Sequence, residues 1–135
     1  VLDNLLNNAM KFSPKGGTIT ITCQACMYDF RRSSEPRGLE PAVQVDVQDR
    51  GTGIPADQLA RIWERFYQVD GSSTRRFGGM GLGLAIVREI IHAHGGVIWV
   101  DSHEGQGSTF HFVLPSAEVP EDSIAARPSL FCEDN

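Results

Sequence analysis

The sequence predicts an α/β (α+β) domain, in which helices pack against a sheet, because two different apolar repeats occur along the chain. Apolar residues recur at intervals of three and four in residues 1–12 and again in 81–94, which is the repeat of a helix. Side chains of opposite polarity alternate in 18–28, 42–49 and 108–114, which is the repeat of a half-buried strand.

The periodicity ends at Pro115. We therefore expect one domain over residues 1–115 and an acidic, disordered tail or linker over residues 116–135. The chain has a net charge of -5, and most of this excess lies in the tail, which contains Glu118, Glu121, Asp122, Glu133 and Asp134. The body is nearly neutral, which argues against a nucleic-acid partner, since such domains usually carry a basic face.

No stretch approaches the roughly 20 apolar residues that would span a bilayer, and the first residues lack the pattern of a signal peptide. We expect a cytoplasmic domain that makes no direct contact with a membrane. Whether the intact protein is anchored in a membrane stays open.

The first predicted helix, Val1 to Phe12, has an unusual polar face. Asn4, Asn8 and Lys11 share this face, with Asn7 beside them, although asparagine is a mediocre helix former. Amide oxygens can coordinate a hard cation and a lysine can meet phosphate, so the pattern indicates ligand contacts. A capped, partly exposed helix is the alternative interpretation.

A hairpin of two strands follows, Thr18 to Tyr28 and Ala42 to Asp49, joined by a long polar loop from Phe30 to Pro41. In the second strand, Gln44 is expected to face outward. The residues expected to face the core are Ile19, Ile21, Cys23, Val43, Val45 and Val47.

The second strand ends in Asp49, with Gly51 and Gly53 just beyond it. A carboxylate beside two glycines places an acceptor next to backbone that can approach a flat ligand. A turn with an Asx-type hydrogen bond is the alternative. Ala56 to Tyr67 is predicted as a short helix, and the polar run Gln68 to Phe77 has the composition of a mobile lid.

The lid leads into the glycine-rich stretch 78–84, where a second helix begins. Bare backbone N–H groups at a helix start favour an anion such as phosphate. The spacing excludes a Walker A loop, because no Gly-Lys pair occurs, and excludes a G-x-G-x-x-G fingerprint. A flexible loop before a buried helix is the alternative. The helix should end at Gly95, and strands 97–100 and 108–114 should form a second hairpin.

In combination, these segments resemble the catalytic and ATP-binding domain of two-component sensor histidine kinases. Residues 4–12 are similar to the N box of that family, 49–53 to its G1 box, 61–67 to its F box, 79–84 to its G2 box and 105–110 to its glycine-rich end. Five motifs in the family order form a specific pattern. The resemblance implies a Bergerat-type sandwich, with a mixed sheet covered on one face by helices and with ATP bound between helices and lid.

The resemblance also implies roles for single residues. Asn8 would bind Mg²⁺, Asn4 would support the polar face, and Lys11 would contact phosphate, which makes Asn8 and Lys11 the catalytic candidates. Asp49 would accept a hydrogen bond from the adenine amino group, and Phe66 would anchor the lid. The remaining implied nucleotide contacts are Gly51, Gly53, Gly79, Gly81, Leu82, Gly83 and Thr109.

The implied chemistry is in-line transfer of the γ-phosphoryl group of ATP to a histidine. The acceptor would lie on a dimerisation and histidine-phosphotransfer domain of the same protein, expected to be a homodimer. A response regulator receiver domain would then take the phosphoryl group. His92, His94, His103 and His111 lack the sequence context of the acceptor and are expected to be structural or surface residues.

The chain departs from the family pattern in two places. Gln68 stands where relatives often carry a lid arginine, so Arg75 or Arg76 would have to contact the γ-phosphate. The chain also opens inside the N-box helix, and we expect a sheet that lacks strands and an apolar surface that is partly uncovered.

Two alternatives remain open. One is a degenerate module that binds nucleotide or a partner without phosphoryl transfer. The other is an ATP hydrolase of the same superfamily, such as the gyrase, chaperone or mismatch-repair enzymes. Those enzymes carry a glutamate base on the N-box helix, and residues 1–12 contain no glutamate.

Overall fold

The computed structural model describes residues 1–13, 16–30, 38–67 and 83–116. Its elements confirm the predicted α/β class. In chain order they are α1 (Leu2–Phe12), β1 (Thr20–Tyr28), β2 (Glu40–Asp49), a 3₁₀ turn (Ala56–Gln58), α2 (Gly83–Ala93), β3 (Val97–His103) and β4 (Gly107–Pro115). In this part of the chain, no helix is long and apolar enough to cross a membrane.

The four strands form one sheet in the order β1-β2-β4-β3. Every pairing among the described strands is antiparallel, whereas the resemblance had implied a mixed sheet. The two predicted hairpins, β1-β2 and β3-β4, are confirmed, and β4 joins them by pairing with β2. Asp49, at the end of β2, therefore lies directly opposite Ser108 of β4.

The core lies between the sheet and the two helices. Leu5 and Ala9 of α1 and Val87 and Ile91 of α2 are nearly inaccessible to solvent. They pack with residues of β2 and β4 and of the segment after the 3₁₀ turn, namely Val47, Phe110, Phe112 and Ile62. Burial of this apolar surface holds the helices on the sheet, because each aliphatic side chain removed from water contributes about 1.5–3 kcal/mol.

The opposite face of the sheet carries a second buried cluster, which the sequence did not predict. It consists of Cys26, Tyr28, Ala42 and Val113. Gln44 lies on the same face and is only 3% exposed, so its expected outward, solvated position is wrong. At Ala42 and Gln44 the β2 strand is therefore covered on this face as well, so its alternation of valine with polar residues does not mark a face that is solvated throughout.

The first half of β1 also differs from expectation. Ile21 is 49% exposed and Cys23 is exposed, although both were expected to face the core. The reason is their place in the sheet: β1 is an edge strand of the described sheet, and α1 packs mainly over β2 while α2 packs over β3. Leu2 and Met10 of α1 are exposed as well.

The predicted helix from Ala56 to Tyr67 is shorter than expected. Only Ala56–Gln58 forms a 3₁₀ helix, and successive turns continue to Phe66, which has a positive φ of 64°. Ile62 is still buried and Trp63 packs edge-on against Phe110, with ring centroids 5.9 Å apart. The apolar positions are thus satisfied without a regular helix.

The C-terminal end of α2 follows the prediction closely. The helix ends at Ala93, and the Gly96 N–H donates to the carbonyl oxygen of Ile91 at 2.9 Å. Gly95 has a φ of +75°, which suits glycine at this kind of helix stop.

Candidate functional site

The most distinctive polar group in the described structure is the carboxylate of Asp49. Asp49 is only 6% exposed to solvent. The Gly51 N–H donates to Asp49 Oδ1 at 2.9 Å, and the Ser108 backbone N–H also donates to this carboxylate. Burial raises the pKa of Asp49 above its ordinary value of 3.8, and the two backbone hydrogen bonds only partly offset this effect. The fold thus holds a carboxylate in a place that disfavours its charge.

The turn after Asp49 is pressed against the end of α1. A Cβ atom on Gly51 would lie 2.0 Å from the carbonyl oxygen of Phe12, so only glycine fits. The Thr52 N–H donates to that same carbonyl oxygen at 3.2 Å. The helix that carries Asn8 and Lys11 is therefore fixed directly to the turn that carries the buried carboxylate.

The β3-β4 turn closes on the same region from the other side. A Cβ atom on Gly53 would lie 2.1 Å from the His103 carbonyl oxygen, and one on Gly107 would lie 2.2 Å from the Asp49 carbonyl oxygen. The Gly105 N–H donates to the Thr52 carbonyl oxygen at 2.7 Å. Three glycines thus let the end of α1, the turn after β2 and the β3-β4 turn meet around Asp49 with main chain against main chain.

The strand register separates Thr109 from Asp49. Thr109 pairs with Gln48 and Asp101, so its side chain points to the sheet face opposite that of Asp49. The residue beside Asp49 is Ser108, which is 7% exposed. The sequence contained the signal for this: Phe110 faces the helices, and alternation then puts Ser108, rather than Thr109, on the same face.

A second serine, which sequence reasoning missed, completes this network. Ser102 Oγ lies 2.7 Å from Ser108 Oγ, accepts the Ile54 N–H at 2.7 Å and lies 3.1 Å from the Gly107 carbonyl oxygen. These contacts join β3, β4 and the turn after β2. Because Ser102 and Ile54 are far apart in the chain, no local sequence pattern predicts their contact.

The polar face of α1 is partly buried. Asn4, Asn8 and Lys11 are of intermediate exposure, whereas Asn7 is exposed. Asn4 Nδ2 donates to the Gly83 carbonyl oxygen at 3.5 Å, a long contact that joins α1 to the start of α2. Asn4 on the polar face of α1 therefore lies beside the beginning of the second helix, where the glycine-rich stretch ends.

Several predicted site residues lie outside the described residues, namely Gly79, Gly81, Leu82, Gln68, Arg75 and Arg76. Phe66 is described, and its ring is 68% exposed at the point where the predicted lid begins. Its neighbour Tyr67 is fixed in place, because its hydroxyl donates to Gln58 Oε1 at 2.8 Å and Arg61 lies over its ring at 4.5 Å.

The donors available for a metal near α1 are amide oxygens. Within the described ranges, no group of three or more His, Cys, Asp or Glu residues could hold a metal ion. Mg²⁺ is commonly bound through one or two protein oxygens, with water and substrate phosphates supplying the remaining ligands. The partly buried amide of Asn8 fits that mode of binding, which needs nucleotide phosphates to complete it.

Comparison with known families matches residues 1–118 to the histidine kinase-, DNA gyrase B- and HSP90-like ATPases. The chain belongs to this ATPase family. Its membership accounts for the α/β sandwich and supports ATP as the ligand.

Members of this ATPase family that are similar to the chain include named sensor kinases. The sensor histidine kinase WalK of Bacillus subtilis is 44% identical over 122 residues, which are 90% of this chain and 18% of WalK. The adaptive-response sensory kinase SasA of Synechococcus elongatus is 44% identical over 115 residues, which are 85% of this chain and 26% of SasA. The chain therefore spans only about a fifth to a quarter of the length of these relatives.

Two solved structures are also similar to this chain. Full-length ShkA, determined in complex with AMPPNP, is 36% identical with a TM-score of 0.64, over 84% of this chain and 20% of ShkA. The catalytic domain of the histidine kinase ThkA is 33% identical with a TM-score of 0.61, over 84% of this chain and 62% of that domain.

Proposed function

We propose that this chain binds ATP with Mg²⁺ and supplies the γ-phosphoryl group to a histidine on a separate dimerisation domain, in two-component signal transduction. The observation that carries the proposal is the buried carboxylate of Asp49 among three main-chain segments, in a chain of an ATPase family. A buried acceptor held by backbone N–H groups is suited to a flat base that offers an amino group.

At the adenine end, Asp49 accepts a hydrogen bond from the amino group of the base. Gly51 and Gly53 let the neighbouring main-chain segments close around this carboxylate, since an added Cβ at either position would meet a carbonyl oxygen. Ser108 takes the part that sequence reasoning gave to Thr109, because its hydroxyl lies on the same face as Asp49. Two adjacent polar groups, one carboxylate and one hydroxyl, then read neighbouring atoms on the edge of the base.

At the phosphate end, α1 supplies the polar groups. Asn8 ligates Mg²⁺ through its amide oxygen, Lys11 meets a phosphate, and Asn4 holds the start of α2 through Gly83. The bound ion would neutralise phosphate charge during transfer. The proposal includes backbone contacts to phosphate from Gly79, Gly81, Leu82 and Gly83, and a lid anchored by Phe66.

Transfer of the γ-phosphoryl group requires an acceptor histidine, and the proposed role of this domain does not include one. His92, His94 and His103 are exposed, and His111 lies between Asp46 and Asp101. The acceptor histidine then belongs to a dimerisation and histidine-phosphotransfer domain of the same homodimeric protein, and a response regulator receiver domain accepts the phosphoryl group from it. This domain, residues 1–115, works in the cytoplasm, followed by a tail of residues 116–135.

The similarity of the chain to WalK, SasA, ShkA and ThkA supports phosphoryl transfer over ATP hydrolysis. The residues of α1 agree with this, since Leu2–Phe12 offers no glutamate to activate water.

Titration of the chain with ATP, with and without Mg²⁺, tests the nucleotide site. Asp49→Asn should weaken ATP binding by about tenfold or more, because a hydrogen bond to a charged group is lost. Asn8→Ala should instead remove the gain in affinity that Mg²⁺ gives. Asn7→Ala, on the exposed side of the same helix, is the matched control and should bind like the native chain. Native affinity in both Asp49→Asn and Asn8→Ala would refute the site.

Phosphoryl transfer needs its own assay. The intact protein, incubated with ATP labelled at the γ position, should acquire an acid-labile phosphohistidine. If the chain binds ATP but the intact protein acquires no label, phosphoryl transfer would be refuted, and the alternative of a nucleotide-binding module without transfer would be supported.

A further inference from the structure

The sheet face that points away from α1 and α2 carries an apolar group of residues, the outer cluster, at the end of the sheet far from Asp49. Its buried members are Cys26, Tyr28, Ala42 and Val113, with Phe30, Val97 and Trp99 packed against them. Both described helices pack on the other face, with the first core cluster. Neither of them therefore covers the outer cluster.

Cys26 is the chemically distinctive member of the outer cluster, because its sulfur is disulfide-bonded. The chain has three cysteines, and Cys23 is free. Cys23 and Cys26 could not pair in any case, since three steps along a strand separate their Cα atoms by about 10 Å, beyond the roughly 7 Å that a disulfide can bridge. The register also puts them on opposite faces, with Cys23 beside Val45 and Cys26 beside Ala42. The remaining cysteine of the chain is Cys132.

Cys132 belongs to the C-terminal tail, and the described chain leaves the sheet close to the outer cluster. Pro115, at the end of β4, pairs with Ala42, and Ala42 pairs with Cys26 on β1. Two steps between neighbouring strands separate β4 from Cys26 by about 10 Å. Cys132 follows Ser116 by 16 residues, a length that spans up to about 50 Å when extended. The tail is therefore long enough to bring Cys132 to Cys26.

The residues next to Cys132 are suited to an apolar surface. Leu130 and Phe131 precede it directly, in a tail that otherwise carries the acidic excess of the chain. Contact of these two side chains with the outer cluster would remove apolar surface from water, which is favourable. A bond from Cys132 to Cys26 would place them at that surface.

We propose that Cys26 and Cys132 form a reversible disulfide that holds the C-terminal tail against the outer cluster. The reaction joins the two sulfur atoms. The two thiol protons and two electrons pass to a small-molecule disulfide such as oxidised glutathione, which becomes two thiols. Cytosolic thiols are kept largely reduced, so a disulfide in the proposed cytoplasmic domain is a redox-dependent tether, and its reversibility rests on that proposed location.

Intact mass spectrometry of the chain after exposure to oxidised glutathione tests the pairing. The native chain should lose two hydrogen atoms and stay monomeric. Cys23→Ser is the matched control and should lose them as well, whereas Cys26→Ser and Cys132→Ser should not. Should Cys26→Ser fail to fold, Cys132→Ser gives the same comparison, since it changes no described residue.

Three results would overturn the pairing. One is a native chain that keeps all its thiol hydrogens or gains only glutathione. Another is an internal disulfide that persists in Cys132→Ser or is lost in Cys23→Ser. The third is a disulfide-linked dimer, which would join two copies of the chain rather than the tail and the sheet of one copy.

Titration with mixtures of reduced and oxidised glutathione tests the contact of the tail and the reversibility of the bond. Phe131→Ser should need about a tenfold more oxidising mixture to form half of the bond, because an apolar contact that brings the thiols together is lost. Val119→Ser, in the same tail but far from Cys132 in sequence, is the control and should match the native chain.

A native midpoint in Phe131→Ser would overturn the docking of the tail. A bond that persists in a mixture with the cytosolic excess of reduced glutathione would overturn the reversible tether. None of these measurements involves ATP, and Cys26 lies on the face opposite Asp49, so their failure would leave the proposed nucleotide site untouched.

Discussion

Two of the carboxylates in strand β2, Asp46 and Asp49, lie three residues apart and have contrasting surroundings. Asp46 is met by side chains: His111 Nδ1 lies 2.6 Å from its Oδ1, and Gln44 Nε2 donates to the same oxygen at 2.9 Å. Asp49 lies on the helix side of the sheet and receives backbone N–H groups.

Under the proposed function, the difference separates a carboxylate that supports the fold from one that would bind the nucleotide. His111 also contacts Asp101, at 2.9 Å from its Nε2, so it ties three strands together beside the stacked ring of Trp99. Burial raises the pKa of Asp49, because its two backbone hydrogen bonds offset only part of the cost of burying the charge. A buried acceptor of this kind lowers the stability of the free protein, and a bound hydrogen-bond donor would offset that loss.

The largest effect is expected where the main chain around Asp49 is disturbed. Gly51→Ala should lower the free energy of unfolding by about 3 kcal/mol, because the new Cβ would meet the carbonyl group of Phe12. Urea denaturation measures the change. Gly38→Ala is the control, since nothing lies within 4 Å of a Cβ there. Equal stability of the two variants would mean that the turn and α1 are not held together as described.

A smaller loss is expected from the Asp46 cluster. His111→Gln should lower the free energy of unfolding by about 1 to 2 kcal/mol, because the ring nitrogens of His111 contact both Asp46 and Asp101. ATP affinity should not change, because the cluster lies on the face opposite Asp49. His92→Gln, at an exposed position, is the control for both measurements. A weakened ATP affinity in His111→Gln would show that the two faces of the sheet do not act independently.

The smallest effect has the opposite sign. Asp49→Asn should raise the free energy of unfolding at neutral pH by about 1 kcal/mol, because a buried charge is removed. The pKa of Asp49 is higher in the folded state, so the native protein binds its proton more readily than the unfolded chain. The stability contributed by Asp49 therefore falls as pH rises from 3.8 through the raised pKa.

The gain from Asp49→Asn should consequently be largest at neutral pH and shrink as pH is lowered toward 3.8. Thermal melts over this range measure it. Asp46→Asn is the matched control and should be destabilising at neutral pH, since it replaces the charged acceptor of His111 and Gln44 with a neutral amide. Loss of stability in both variants would erase the contrast between the two carboxylates.

Local patterns predicted much of this fold. The stripe on α1, the alternation in β2 and β4 and the glycine stop after α2 all gave correct elements, because each depends on neighbours in the sequence. What failed was tertiary in origin. Ile21 alternates like a buried residue but lies on an edge strand, and Gln44 reads as solvated but is covered on the second face.

The same division applies to the candidate site. Asp49, Gly51 and Gly53 form one short motif, and the structure brings them together with the end of α1. Strand alternation alone could have placed Ser108, rather than Thr109, on the same face of the sheet as Asp49. The contact of Ser102 with Ile54 could not have been predicted in this way, because it depends on how the β3-β4 turn folds back across the chain.

Main chain, rather than side chains, forms the closest contacts around Asp49, and this has a consequence for inhibitors. A compound that reads the backbone near Gly51, Gly53 and Gly107 would contact positions where an added Cβ would lie 2.0 to 2.2 Å from a carbonyl oxygen. Substitutions there would damage the protein before they displaced the compound. Resistance would then have to arise at exposed neighbours such as Arg50 and Thr52.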